Sequence, residues 1–309
     1  MKRFAFLLLL PSLCGCYLLT QARGQIGILL NSRNIDTVLA DPSVPAETKV
    51  KLRLVRDIKA FGESELGLTP SSNYESFYDT QGQPITYIVS ACPKDRFQPY
   101  LWWFPIVGKV PYKGFFAKED AQEEASALKE EGYDVALGTA AAYSTLGYFS
   151  DPVLSTMLDY PEEELVVLIL HELTHGTIYV PGSTDFNEGL ASFVGWKGAL
   201  KFACSRHGIA SEEYDRTARA FAEEKQLDAE AQELFTKLDD LYKSHLSLDH
   251  VLSSRERIAG AEVNNAKILM ERRYGRYDRF QERFEKAGED WRRFFESVRK
   301  ENLNLKEPF

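Results

Sequence analysis

The chain has 309 residues and a formal charge of −9, with 44% apolar and 27% charged side chains. This length and composition fit one large globular domain or two closely packed parts, and argue against long disorder or a chain crossing a membrane many times. The acidic balance argues against electrostatic nucleic-acid binding, which needs a concentrated surplus of Lys and Arg to release counterions from phosphate.

At the amino terminus, Lys2-Arg3 precedes the apolar stretch Phe4-Ala5-Phe6-Leu7-Leu8-Leu9-Leu10, the pattern of a secretory signal. The run from Phe4 to Leu19 is interrupted by Pro11 and Gly15 and falls short of the roughly 20 residues that span a bilayer. It ends in Leu13-Cys14-Gly15-Cys16, which resembles the lipobox of bacterial lipoproteins. That resemblance implies loss of residues 1–15, lipidation of Cys16, and a protein attached to a membrane of the bacterial cell envelope and facing the periplasm. Several acyl chains hold a protein on a membrane where a single chain is marginal. A plain signal peptide or an uncleaved anchor is the alternative. Losing residues 1–15, which include Lys2 and Arg3 and no acid, takes the charge from −9 to −11. Cys92 and Cys204 then remain, either as a disulfide of an exported protein or as two separate small residues.

No repeat and no long low-complexity tract interrupts the rest. From residue 45 to 66, Val50, Leu52, Leu54, Val55, Ile58 and Phe61 recur at helical spacing, with Gly67 as the stop. Residues 85–112 are rich in Tyr, Ile, Val, Trp and Phe and are cut by four prolines, which predicts short strands and turns. Residues 117–131 read as a helix closed by Gly132 and leading into a strand over 133–137. Beyond Pro161 helical patterns dominate, over 162–179, 187–206, 211–245, 249–274 and 276–300. The aromatic stripe Phe280, Phe284, Trp291, Phe294 and Phe295 reads as a packing face. The fold class expected is therefore α+β. A mixed part over 16–160 carries a small sheet, a mainly helical part covers 161–309, and the two form one compact unit.

The segment Leu165-Val166-Val167-Leu168-Ile169-Leu170-His171-Glu172-Leu173-Thr174-His175 carries H-E-x-x-H on an apolar helix. Positions i and i+4 stand one above the other on a helix, so His171 and His175 can grip one Zn²⁺. Glu172 between them is placed to take a proton from the attacking water and pass it to a leaving amine. Two His and one Glu in so apolar a helix are costly unless a metal or one another satisfies them. A hydrolytic zinc site usually has three protein ligands and one open position. Glu188, in Asn187-Glu188-Gly189-Leu190-Ala191, is the candidate third ligand, with Asp185 as its fallback. Asp185 and Glu188 also have the spacing of a helix capping box, which leaves a structural use open for both. Glu162, Glu163 and Glu164 read as favourable acids of a first helical turn. His207, His245 and His250 fall at helix ends, where cap and dipole roles prevail.

The pair His171-Glu-Leu-Thr-His175 and Asn187-Glu-Gly-Leu-Ala-Ser-Phe193 resembles the gluzincin arrangement, two helices facing each other across zinc. More closely, the chain resembles the bacterial predicted aminopeptidase family of exported proteins. The likeness extends through Val110-Pro-Tyr-Lys-Gly-Phe-Phe116 and Ala142-Tyr-Ser-Thr-Leu-Gly-Tyr-Phe-Ser-Asp-Pro152. It implies zinc ligands at His171, His175 and Glu188, catalysis by Glu172, and hydrolysis of peptide substrates. The segment from Ala136 to Phe149 resembles the edge strand on which such enzymes hold an extended peptide, with Tyr143 and Tyr148 as candidate cleft residues. No G-A-M-E-N-like segment supplies an acid for a substrate's free ammonium. An endopeptidase of envelope proteins therefore stands beside the aminopeptidase, and a catalytically silent zinc-fold scaffold lipoprotein is the reading from another class. The oligomeric state is not legible in the sequence.

Overall fold

A computed structural model of the protein describes residues 12–104, 108–139, 150–272 and 277–304. Helix α1 (Ser12–Asn31) is followed by β1 (Arg33–Asn34), the short helix α2 (Ile35–Ala40) and α3 (Ala46–Phe61). Among the described residues no helix is long and apolar enough to cross a membrane. In α3 the periodic face is buried through Leu52, Leu54, Val55, Ile58 and Phe61, while Val50 is exposed. Its expected last turn widens into a π turn over Gly62–Leu66, and Gly67 ends it in the left-handed conformation at φ 74°.

The strands come next: β2 (Ser76–Tyr78), β3 (Tyr87–Cys92), β4 (Trp102–Phe104), β5 (Gly108–Val110) and β6 (Lys113–Phe115), then helix α4 (Lys118–Glu130), β7 (Asp134–Thr139) and β8 (Val153–Leu154). Instead of one small sheet they build two, plus a ribbon. One sheet has the mixed order β1-β2-β8, the second is antiparallel in the order β6-β3-β7, and β4 pairs with β5 alone. Prolines 93, 99 and 111 lie between these strands, where a residue without an N–H would otherwise break a ladder. The expected substrate strand begins in β7, which pairs with β3 on one side and forms a sheet edge among the described residues. Tyr143 and Tyr148 lie outside the described residues.

The second half is helical as expected: α5 (Glu162–Thr177), α6 (Thr184–His207), α7 (Glu212–Tyr242), α8 (Leu248–Ala259), α9 (Asn265–Arg272), α10 (Tyr277–Lys286) and α11 (Trp291–Asn304). Two runs that read as single helices are each broken. The first stops at Gly260, and the second turns through Gly288 and Glu289. Phe280, Phe284, Trp291 and Phe294 gather around Phe193 of α6, so the aromatic stripe is core. Cys92 and Cys204 are both free thiols.

A large core joins α3, α5, α6, α10 and α11 with the first sheet, and a smaller one lies between α4, the second sheet and Trp102. A buried ionic knot ties the helical half to the second sheet. Arg255 of α8 donates to Asp134 of β7 at 2.5 Å and to the carbonyls of Lys94 and Val263. Asn265 donates its backbone N–H to the same carboxylate and its amide to the carbonyl of Pro93. Arg255 is 3% exposed, and the partners of its two terminal guanidinium nitrogens are what make a buried charge pair tolerable.

The contact that places the functional residues is α5 against α6. Helix α5 is apolar almost all round, with Leu165, Val166, Ile169, Leu170 and Leu173 buried. On α6, Gly195 and Gly198 let the backbones approach. A Cβ on Gly195 would lie 2.9 Å from the carbonyl oxygen of Val167, and one on Gly198 would lie 2.6 Å from Leu170 Cδ1 and 2.8 Å from Leu66 Cδ1. Substituting Gly195→Val should therefore push the helices apart. We expect a loss of about 3 kcal/mol, the upper end for overpacking, read by chemical denaturation, whereas Val50→Ala on the exposed face of α3 should leave stability nearly unchanged.

Candidate metal centre

Helix α5 presents His171 and His175 one turn apart, with Glu172 beside them. Close packing of α6 brings Glu188 to the same point. Glu188 Oε2 lies 3.1 Å from His171 Nε2 and 3.6 Å from His175 Nε2, and the two imidazole Nε2 atoms are 3.2 Å apart. These three side chains are a group able to hold a metal ion, and each is largely buried. The spacing permits a direct test of fit. Zinc bonds of 2.0–2.1 Å to nitrogen or carboxylate oxygen, arranged as a tetrahedron, require ligand atoms about 3.3 Å apart. The observed distances of 3.1, 3.2 and 3.6 Å bracket that edge. Two imidazoles and one carboxylate are also the donor set of a hydrolytic zinc site, so the residues fit the ion.

The electrostatics agree with a cluster built around positive charge. Burial raises the Glu188 carboxyl, but hydrogen bonds and charges from His171 and His175 overcome it and hold the group well below the usual carboxylate range. For His175, burial lowers the imidazole, yet the hydrogen bond to Glu188 and the charges of Glu172 and Glu188 raise it overall. Without a metal the cluster therefore attracts a proton to His175, and a cation entering the site competes with that proton.

The capping-box alternative is resolved by where α6 begins. The helix starts at Thr184 with Ser183 as its cap residue, so Asp185 sits inside the first turn and Glu188 a full turn in, too far along to close a box. The carboxylate of Glu188 is spent on the histidines instead. Among the other acids, Glu162 pairs with His207 at 2.7 Å and Glu163 with Arg216 at 3.6 Å. These pairs fasten the start of α5 to the end of α6 and to α7. His250 accepts or donates at Ser247, in the first turn of α8, as a helix-end histidine would.

Four side chains not singled out by sequence reasoning border the cluster. Ser192, one turn beyond Glu188 on α6 and buried, has its hydroxyl 3.4 Å from Nδ1 of His171, the ring nitrogen turned away from the other ligands. Its i+4 spacing from Glu188 was the available signal. Tyr179 follows α5 in extended chain, with its ring centroid 6.5 Å from that of His175. Partial burial and the charge of Glu188 raise its phenol, which stays protonated near neutral pH. Tyr74 is fully buried with φ 62°, a backbone conformation uncommon for a bulky residue, and its N–H bonds the carbonyl of Asp151 at 2.7 Å. Burial and the charges of Glu172 and Asp151 raise its phenol strongly.

The fourth is Asn187, 2% exposed, which accepts from Val180 N–H at 2.8 Å and donates to Val180 carbonyl at 2.9 Å. This two-point clamp fixes the chain leaving α5 to the residue immediately before Glu188. It sets the reach of the glutamate across to the histidines. Asn187→Ala removes the partner of the half-buried Val180 N–H, while the Val180 carbonyl keeps the Ser183 N–H at 3.1 Å, so the cost is that of one group, about 1–3 kcal/mol. Denaturation should show a loss in that range, and zinc retention measured with a competing chelator should weaken about 10–100-fold, the usual effect of removing a ligand's support.

The family model described as "Putative aminopeptidase" matches residues 16–261, a stretch that includes both helices of the cluster. Neither the curated proteins nor the solved structures contain a match to the chain. Because the match covers most of the sequence, this chain belongs to that aminopeptidase family, whose name describes a peptidase-like function.

Proposed function

We propose that the protein is a zinc-dependent peptidase of the gluzincin type, an aminopeptidase exported to the cell envelope and held there by lipid on Cys16. The observation that carries the reading is the triangle of His171 Nε2, His175 Nε2 and Glu188 Oε2 at tetrahedral edge lengths, with Glu172 on the same helical turn. Zinc, when bound by His171, His175 and Glu188, supplies a Lewis acid that lowers the pKa of water and polarises a carbonyl. The chain's own residues do the rest. Ser192 accepts from Nδ1–H of His171, which keeps the Nε2 lone pair directed at the ion. Glu172 takes the proton of the attacking water and delivers it to the leaving amine. Tyr179, a neutral phenol at the exposed rim, is a donor available to the oxyanion that develops on the scissile carbonyl. The sheet edge of β7 offers backbone groups to an extended peptide.

An endopeptidase is the second reading. It is favoured by one observation: Glu162 and Glu163, acids in the first turn of the zinc helix, are tied to His207 and Arg216. The experiment measures zinc content and hydrolysis of free and amino-blocked peptides by wild type, Glu172→Gln and Glu188→Ala. The reading predicts about one zinc per wild-type chain, cleavage of free amino termini only, loss of turnover by at least about 10²-fold in Glu172→Gln with zinc retained, and loss of zinc in Glu188→Ala. Cleavage of blocked peptides moves the assignment to an endopeptidase. Bound zinc without any cleavage moves it to a silent scaffold.

A further inference from the structure

We propose that the buried hydroxyl of Tyr74 donates to the carboxylate of Glu172 and aims it, which makes Tyr74 a positioning residue for the general base. The proposal rests on the peptidase reading above and adds to it the group that holds Glu172 in place.

Tyr74 lies in a loop that is pinned on both sides. The chain from Gly62 to Thr69 runs along α5: a Cβ on Gly62 would meet Leu170, Leu68 and Leu173, and Thr69 donates its N–H to Thr177 Oγ1 at 2.9 Å. Lys59 then donates to the carbonyl of Ser71 at 2.6 Å and to the carboxylate of Glu75 at 2.9 Å. Asp151 donates its N–H to Asn73 Oδ1 at 3.1 Å and receives the N–H of Tyr74, and Ile35 N–H reaches the carbonyl of Glu75 at 3.0 Å. These bonds hold Tyr74 at φ 62°, a conformation that bulky side chains avoid. Strain of this kind persists where the surroundings over-determine it, and it clusters at functional sites.

The side chain held this way is a phenol at a place where burial alone asks for phenylalanine. Tyr74 is 2% exposed and belongs to the large core, yet its hydroxyl hydrogen-bonds no described residue. A buried tyrosine O–H ordinarily has a partner. Glu172, half-buried and next to a metal-ligand candidate, likewise makes no side-chain hydrogen bond to a described residue. A donor and an acceptor that complement each other are thus both unspent, and they are close enough for the charge of Glu172 to act on the phenol more strongly than that of Asp151 does. Both charges keep the phenol protonated, so it remains a donor. Hydrogen bonds of catalytic groups are often long in a resting site and tighten when substrate is in place. A donor on one oxygen of Glu172 stops the carboxylate from turning and leaves the other oxygen for the attacking water.

The test compares zinc-loaded wild type with Tyr74→Phe, Glu172→Gln and the double variant on peptides with free amino termini. Tyr74→Phe removes one hydroxyl and keeps the ring. The expected result is a kcat about 10–100-fold lower, as for loss of a hydrogen bond to a charged group, with KM, zinc content and thermal stability unchanged. The double variant should be no slower than Glu172→Gln, because the hydroxyl acts only through that carboxylate. An unchanged kcat in Tyr74→Phe, a rise in KM in its place, or a further loss in the double variant overturns the proposal. A second readout needs neither zinc nor turnover. In metal-free protein with tyrosine isotopically labelled at Cζ, the NMR signal missing from Tyr74→Phe is that of Tyr74, and it should move in Glu172→Gln by more than in Asp151→Asn. A signal indifferent to Glu172, or one that answers to Asp151 in its place, overturns the pairing. If wild type cuts no peptide, the peptidase reading falls, and this signal decides the pairing by itself.

Discussion

The distance between α5 and α6 is the constraint on which the rest of the molecule depends. Gly195 and Gly198 remove the side chains that would hold the two backbones apart, and Val167 and Leu170 fill the space this opens. The result is felt one to two turns along the pair, where His171, His175 and Glu188 meet. A wider helix pair would break the 3.1 Å hydrogen bond between Glu188 and His171 and carry the carboxylate further than 3.6 Å from His175. The Asn187 clamp fixes the same geometry from the loop side, by binding Val180 at both its N–H and its carbonyl. Packing and hydrogen bonding thus act on one variable, the reach of Glu188.

Surrounding structure supports that pair rather than sharing its chemistry. The aromatic group of α10 and α11 packs on Phe193 from the side of α6 facing away from α5. Glu162 and His207 close the far end of the pair with a hydrogen bond. The Arg255 and Asp134 knot holds α8 to the sheet edge strand β7. In the proposed reading, that knot fixes the strand on which a peptide would lie relative to the helical half.

Much of this was legible in the sequence because it follows from periodicity and from one motif. The helices of the second half, the α+β class and the pairing of His171 with His175 need only helical spacing. Glu188 was legible as a candidate, but its competing use as a capping residue was not resolvable, because that depends on whether α6 begins at Ser183 or two residues later. The breaks at Gly260 and Gly288 fell inside amphipathic runs whose periodicity continues across them. Asn187, Tyr179 and Tyr74 were not found because their roles arise from tertiary contact. Asn187 meets Val180 across a turn, Tyr179 meets His175 after the helix has ended, and Tyr74 reaches the cluster from a loop about a hundred residues earlier in the chain.

The measurement that bears most directly on the central claim is anomalous diffraction at the zinc absorption edge from crystals of the zinc-loaded protein. The account predicts one strong peak about 2.0–2.2 Å from Nε2 of His171, Nε2 of His175 and an oxygen of Glu188, with a fourth position facing solvent. An empty cluster in which Glu188 stays hydrogen-bonded to the two histidines, or a peak at a different set of side chains, would contradict it.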